Sequence, residues 1–158
     1  MTMQQSTKPV HILLADDDED DRFLTREAFR QQFPVTEMNV VEDGEELMEF
    51  LRRTGRYERA EHPLPELILL DLNMPRKDGR EALQEIKADR DLRHIPVVVL
   101  TTSDASIDID NSYLWGANSF ITKPASFKKL MDITQTIGEY WFNVVKVSGR
   151  PYSTWRNI

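Results

Sequence analysis

Leu67-Ile68-Leu69-Leu70-Asp71 sets four apolar residues in a row and ends them on a carboxylate. Val97-Val98-Val99-Leu100-Thr101 repeats the pattern and ends on a hydroxyl. A strand with one wet face alternates apolar and polar residues. An unbroken apolar run of this length suits a parallel strand covered on both faces. Three more short β-type runs lie outward from these two: Val10–Ala15, residues 37–41 and Ser119–Thr122. The intervening segments carry apolar residues at helical spacing. Residues 20–33 hold Phe23, Leu24, Ala28 and Phe29; residues 45–53 hold Leu47, Met48, Phe50 and Leu51; residues 80–89 hold Ala82, Leu83 and Ile86. The pattern is weaker over residues 105–115, through Ile107, Ile109, Tyr113 and Leu114. It is strong over residues 127–145, where Phe127, Leu130, Thr134, Ile137, Trp141 and Val144 recur every three or four positions. Strand then helix, five times over, predicts an open, doubly wound α/β sheet. The connection over residues 52–66 is long, and Pro63 and Pro65 stop a helix from continuing through it.

The 158 residues suit a single domain with a full core. Twenty Lys+Arg against twenty-seven Asp+Glu leave a net charge of −7, which argues against nucleic acid as a partner. The absence of cysteine removes disulfides, thiolate metal sites and cysteine nucleophiles. No apolar run approaches the roughly 20 residues of a membrane helix, and no secretory leader is visible, so a cytoplasmic location with no membrane contact is expected. Residues 1–9 read as a mobile tail, residues 10–145 as the domain, and residues 146–158 as an extension too short for an output domain.

In an open α/β sheet, ligands gather at the carboxyl ends of the strands. Asp16, Asp17 and Asp18 follow the first strand, and Asp71 ends the third. If those strands are neighbours, the carboxylates converge and need a cation. An all-oxygen site with open water positions suits Mg²⁺. A carboxylate beside such a metal can attack phosphorus, and the incoming oxygens then need donors and positive charge. Thr101 and Lys123, at the ends of the fourth and fifth strands, supply a hydroxyl and an ammonium on the same sheet edge. The plainer reading of the acidic run is a solvated start to a helix with an aspartate N-cap.

Together these residues resemble the receiver domain of two-component response regulators. The resemblance lies in Ile-Leu-Leu-Ala-Asp-Asp-Asp (12–18), Leu-Leu-Asp-Leu-Asn-Met-Pro (69–75), Val-Leu-Thr-Thr (99–102) and Thr-Lys-Pro (122–124), and it spans about residues 10–142. It implies a flavodoxin-like fold: a five-stranded parallel sheet in the order 2-1-3-4-5 with five flanking helices. It also implies roles. Asp71 would accept the phosphoryl group. Asp17 would bind Mg²⁺ directly, and Asp16 directly or through water, with Asp71 and the backbone carbonyl of Asn73 completing the protein ligands. Thr101 and Lys123 would contact the phosphoryl oxygens, and Lys123–Pro124 would be a cis peptide. Phe120 stands at the aromatic switch position, turning inward as Thr101 moves. Lacking a hydroxyl, it suits a fully buried resting place, and it can equally be an ordinary core residue.

Gly-Arg-Tyr-Glu (55–58), the run over residues 63–73 and Glu-Tyr-Trp-Phe (139–142) resemble single-domain regulators paired with bacterial phytochromes, a type that can serve other sensor kinases too. A histidine kinase partner is implied, docking near the first helix at Phe23, Leu24 and Thr25. Met131, Ile133, Tyr140 and Phe142 lie off the buried stripe of the last helix. That apolar excess predicts a homodimer through helix 4, strand 5 and helix 5, or else cover by the tail carrying Tyr152 and Trp155. Two other functions fit less well. A Mg²⁺-dependent phosphohydrolase would want an acid where Asn73 stands, and a nucleotide site would not tolerate three aspartates after the first strand. A degenerate receiver, acting as a constitutive interaction module, would lack side chains that are all present here. His11, His62 and His94 are scattered and read as structural, and Gly44, Gly79 and Gly116 as turn residues.

Overall fold

The computed structural model describes residues 9–148, so the expectations for the terminal tails, Tyr152 and Trp155 included, lie outside the described residues. Five strands form one sheet: β1 (Val10–Ala15), β2 (Thr36–Val41), β3 (Leu67–Leu70), β4 (Val97–Thr101) and β5 (Ser119–Thr122). All neighbours are parallel, in the order β2-β1-β3-β4-β5. The helices are α1 (Glu19–Gln32), α2 (Gly44–Arg52), α3 (Gly79–Ala88), α4 (Ser106–Leu114) and α5 (Phe127–Gly138). The central strands β3 and β4 are buried along their whole length, as their unbroken apolar runs require.

Alternate residues of the strands feed two cores. Leu13, Ile68, Leu70, Val97 and Val99 pack with Leu47, Phe50, Leu83 and Ile86 of α2 and α3. Ile12, Leu14, Leu67, Leu69 and Val98 pack with Phe29 of α1, Phe33 and Ile137 of α5. Four helices begin on a side-chain cap. Asp18, Asp43, Asp78 and Ser126 accept from the N–H groups of Asp21, Glu46, Arg80 and Lys129. The acidic run therefore divides: Asp18 is the helix cap of the plainer reading, and Asp16 and Asp17 are left for other work.

Several expectations need correction. The last helix does not run uniformly to residue 145. It gives way after Gly138 to a π-helical turn, Glu139–Val144, whose wider loop of backbone rotates the side chains that follow. Phe142 then meets Phe33 edge-on at 5.5 Å and Phe29 at 6.4 Å. Ile133, Trp141 and Phe142 all pack on the α1 side. Ile133 and Phe142 are thus half-buried against the chain's own core, whereas Tyr140 stays exposed.

Gly44 and Gly79 are not needed for a left-handed turn, which among the glycines is adopted by Gly55 and Gly116. They are needed for close approach. A Cβ on Gly79 would run into the Asp71 carbonyl, and one on Gly44 into the Lys77 carbonyl. The Lys123–Pro124 peptide is trans, as is every peptide among the described residues; trans is the lower-energy isomer before proline too.

The long 52–66 connection is ordered around a 3₁₀ turn, Gly55–Tyr57. His62 stacks on Phe50 at 3.8 Å, and the Tyr57 hydroxyl donates to Glu46 at 2.7 Å. Burial, with the Glu46 carboxylate beside it, pushes the Tyr57 phenol up to about 12. His62 is structural, as expected, and His11 lies 3.2 Å from Glu37 at the opposite end of β1 from Asp16.

Candidate functional site

The register Ala15↔Leu70 between β1 and β3 brings Asp16 and Asp71 side by side just past the strand ends. Thr101 closes β4 opposite Thr122 of β5, and the Lys123 N–H donates to the Thr101 carbonyl at 2.7 Å. Asp16, Asp71, Thr101 and Lys123 therefore share the carboxyl edge of the sheet, as the strand ends predict. Asp16 and Asp71 are 1% and 6% exposed, which puts two carboxylates almost out of water.

Such burial is tolerable only with close partners. Lys123 Nζ lies 2.7 Å from Asp16 Oδ2, 2.8 Å from Asp71 Oδ2 and 2.9 Å from Asp21 Oδ2. The Thr101 hydroxyl donates to Asp71 Oδ1 at 2.8 Å, and the Asn73 N–H donates to the same oxygen at 3.1 Å. The Asp18 N–H donates to Asp16 Oδ1 at 2.9 Å. Burial acts against the Lys123 charge, but hydrogen bonds to Asp16, Asp71 and Asp21 outweigh it and hold the ammonium above the ordinary lysine range. At Asp16, burial dominates and pushes the carboxyl up in spite of Lys123. Asp21 was not among the expected site residues. It reaches the site from the first turn of α1 through Lys123, and the strand-end pattern carries no signal for it.

Asp16, Asp17 and Asp71 bring carboxylate oxygens within 4.8 Å of one another. Asp17 is exposed, and the other two are buried. Three hard oxygen donors with one open side suit a divalent cation that keeps water ligands. Phe120 is half-buried rather than fully buried, because β5 is an edge strand. It packs on the α2–α3 core, and its N–H donates to the Tyr113 hydroxyl at 3.1 Å. On α1, Phe23 is 64% and Leu24 38% exposed, while Thr25 is buried. Leu24 and Thr25 line a groove with Leu100, Pro124, Phe127 and Leu130, which Asp21 and Lys123 also line.

Residues 12–135 match the model of the response regulator receiver domain. The chain belongs to the response regulator receiver family. The response regulator Rcp1 of Synechocystis sp. is 43% identical to this receiver over 89% of its length and 95% of Rcp1. Among solved structures, the phosphorylated cyanobacterial phytochrome response regulator RcpA superposes with a TM-score of 0.82 at 43% identity, covering 88% of this chain and 98% of that one. The Mn²⁺-bound form of Rcp1 superposes with a TM-score of 0.82 at 42% identity, over 89% and 99% of the two chains. The receiver is thus close kin to phytochrome-associated regulators. The fold agrees with the expected flavodoxin-like sheet in strand order and direction. No helix among the described residues is long and apolar enough to cross a membrane.

Proposed function

We propose that Asp71 of this receiver accepts a phosphoryl group from the phosphohistidine of a sensor kinase, and that the protein signals through a phosphorylation-dependent interaction surface. The observation that carries the reading is the buried Asp71 carboxylate, held on one oxygen by the Lys123 ammonium and on the other by the Thr101 hydroxyl. In the transfer, an Asp71 oxygen forms a bond to phosphorus as the phosphorus–nitrogen bond breaks, and the electron pair stays on the imidazole. Lys123 and Thr101 stand where they can donate to the transferred oxygens, the role that charge stabilisation demands in phosphoryl transfer.

Asp16, Asp17 and Asp71, with the Asn73 carbonyl, would hold Mg²⁺. The ion would neutralise the carboxylates and phosphoryl oxygens together. The receiver turns over no outside substrate: it takes up a phosphoryl group and loses it by hydrolysis of its own acyl phosphate. Thr101 and Phe120 form the switch pair, and the Thr101 hydroxyl is already directed at Asp71.

The kinase docks on the groove beside Phe23 and Leu24, and the kinship to regulators named for phytochromes supports a phytochrome-type partner. Both would work in the cytoplasm. Pairing of two copies through α4, β5 and α5 is supported by the exposure of Ile107, Tyr113, Leu114 and Tyr140.

The test is intact mass after incubation with Mg²⁺ and a small acyl-phosphate donor, beside Asp71→Asn. A gain of one phosphoryl group in the native protein, absent from the variant and absent when the metal is chelated, is the expected result. Equal labelling of both proteins would move the acceptor elsewhere.

A further inference from the structure

α4 is held differently from the other helices. Its N-cap is Ala105, which offers no side-chain cap. Its one buried residue is Ser112, whose hydroxyl finds no partner. Ile107 and Leu114 are 65% and 79% exposed. A helix with so little apolar burial needs another anchor. That anchor is a fork of charge at its first turn. Arg80, on the first turn of α3, donates from Nε to Asp108 Oδ1 and from Nη2 to Asp108 Oδ2, both at 2.8 Å. Two parallel bonds of this kind are the strong geometry for a guanidinium and a carboxylate.

Two paths from the acceptor site converge on this pair. Arg80 Nη1 lies 3.4 Å from the side-chain oxygen of Asn73, whose N–H is on Asp71. Ser103, two residues beyond Thr101, donates to Asp108 Oδ2 at 2.6 Å. The Arg80 hydrogen bonds, then that of Ser103, hold the Asp108 carboxyl down to about 2. Arg80 Nη1 also meets Asp78 at 3.0 Å, so the guanidinium is already shared between the acceptor loop and α4.

We propose that the Arg80–Asp108 pair is a latch that holds the first turn of α4 while Asp71 is free, and that a phosphoryl group on Asp71 loosens it by drawing Arg80 toward Asn73. The proposal rests on Asp71 being the acceptor. Phosphorylation adds negative charge at the carboxyl edge of β3, and the guanidinium is the cation that touches Asn73 in the loop following Asp71. When Arg80 leaves, Asp108 keeps only Ser103, and α4 with its exposed Ile107 and Leu114 is free to reposition. The two-state element is the helix, and the differential contact is the fork.

Hydrogen exchange read by mass spectrometry on the full chain tests this. The readout is the α4 segment, residues 106–114, with and without Mg²⁺ and a small acyl-phosphate donor, with intact mass taken from the same samples. Labelling of the native protein is expected to speed α4 exchange by about tenfold, with α5 unchanged. Arg80→Gln is expected to exchange in α4 like the labelled protein, with no further gain on labelling, and Asp108→Asn should do the same if Arg80→Gln folds poorly. Labelled native protein with unchanged α4 exchange overturns the latch, as does an unlabelled variant that exchanges like the native protein. A sample that gains no phosphoryl mass counts against the acceptor reading instead. The variants then still decide whether the pair holds α4: faster exchange supports the latch and unchanged exchange overturns it.

Discussion

The flank built from α1 and α5 and the flank built from α4 use opposite means to stay on the same sheet. α1 and α5 bury Phe29, Phe33 and Ile137 together, and the π-helical turn adds Phe142 to that aromatic cluster. Gly138 lets the Phe33 ring lie against the helix backbone, and Gln32 donates to the Thr134 hydroxyl at 2.8 Å. α4 buries one serine and leans on a charged pair whose side chains are 27% and 15% exposed. Apolar burial is non-directional and cannot be reassigned by a change of charge nearby. A charged fork at the surface contributes less, yet it can exchange partners when a new anion appears. The difference separates a flank suited to be a fixed frame from one suited to respond.

The largest expected effect lies on the fixed flank. Phe29→Ala, at a site 1% exposed, should lower the free energy of unfolding in urea by about 3–5 kcal/mol. A loss under about 1 kcal/mol would show that the α1–α5 flank is not the frame.

Next comes the fork. Arg80→Gln should cost only about 1 kcal/mol in the same assay, because the pair is partly exposed and screened. Its pH dependence has a definite sign. The Asp108 carboxyl is depressed in the folded state from 3.8 to about 2, so its contribution is present above pH 3.8 and fades as pH falls through about 2. The stability gap between native protein and Asp108→Asn should therefore close on acidification, and a gap that widened instead would break the assignment.

The smallest effect is on the exposed face of α4. Leu114→Ser, at a position 79% exposed, should leave stability within about 0.5 kcal/mol while lowering any self-association seen by sedimentation. A large loss of stability would show that Leu114 supports the fold rather than a surface offered to a partner.

Much of the site is legible in the chain because its residues mark strand ends. Asp16, Asp71, Thr101 and Lys123 each follow or close a short β-type run, and parallel strands put all such ends on one edge. What escaped the sequence is contact between residues with no shared period. The pairing of Arg80 with Asp108 joins positions 28 apart across two elements. Gly79 reads as a turn glycine, whereas its lack of a Cβ serves the approach to the Asp71 carbonyl. The inward turn of Phe142 depends on a local π register that a 3.6-residue count over residues 127–145 assigns to the wrong face.

The sequence by itself determined the five alternations of strand and helix, the two-faced burial of β3 and β4, and the carboxyl edge on which the acidic, hydroxyl and ammonium groups meet. These are periodic and local properties, set by which side of a strand or helix each residue occupies. Only the tertiary structure decided that Lys123 gathers Asp16, Asp21 and Asp71, that Phe142 joins the α1–α5 core, and that Arg80 of α3 pairs with Asp108 of α4. Those contacts turn on distances between side chains from separate elements. Such distances are set by how the helices pack on the twisted sheet, not by any pattern along the chain.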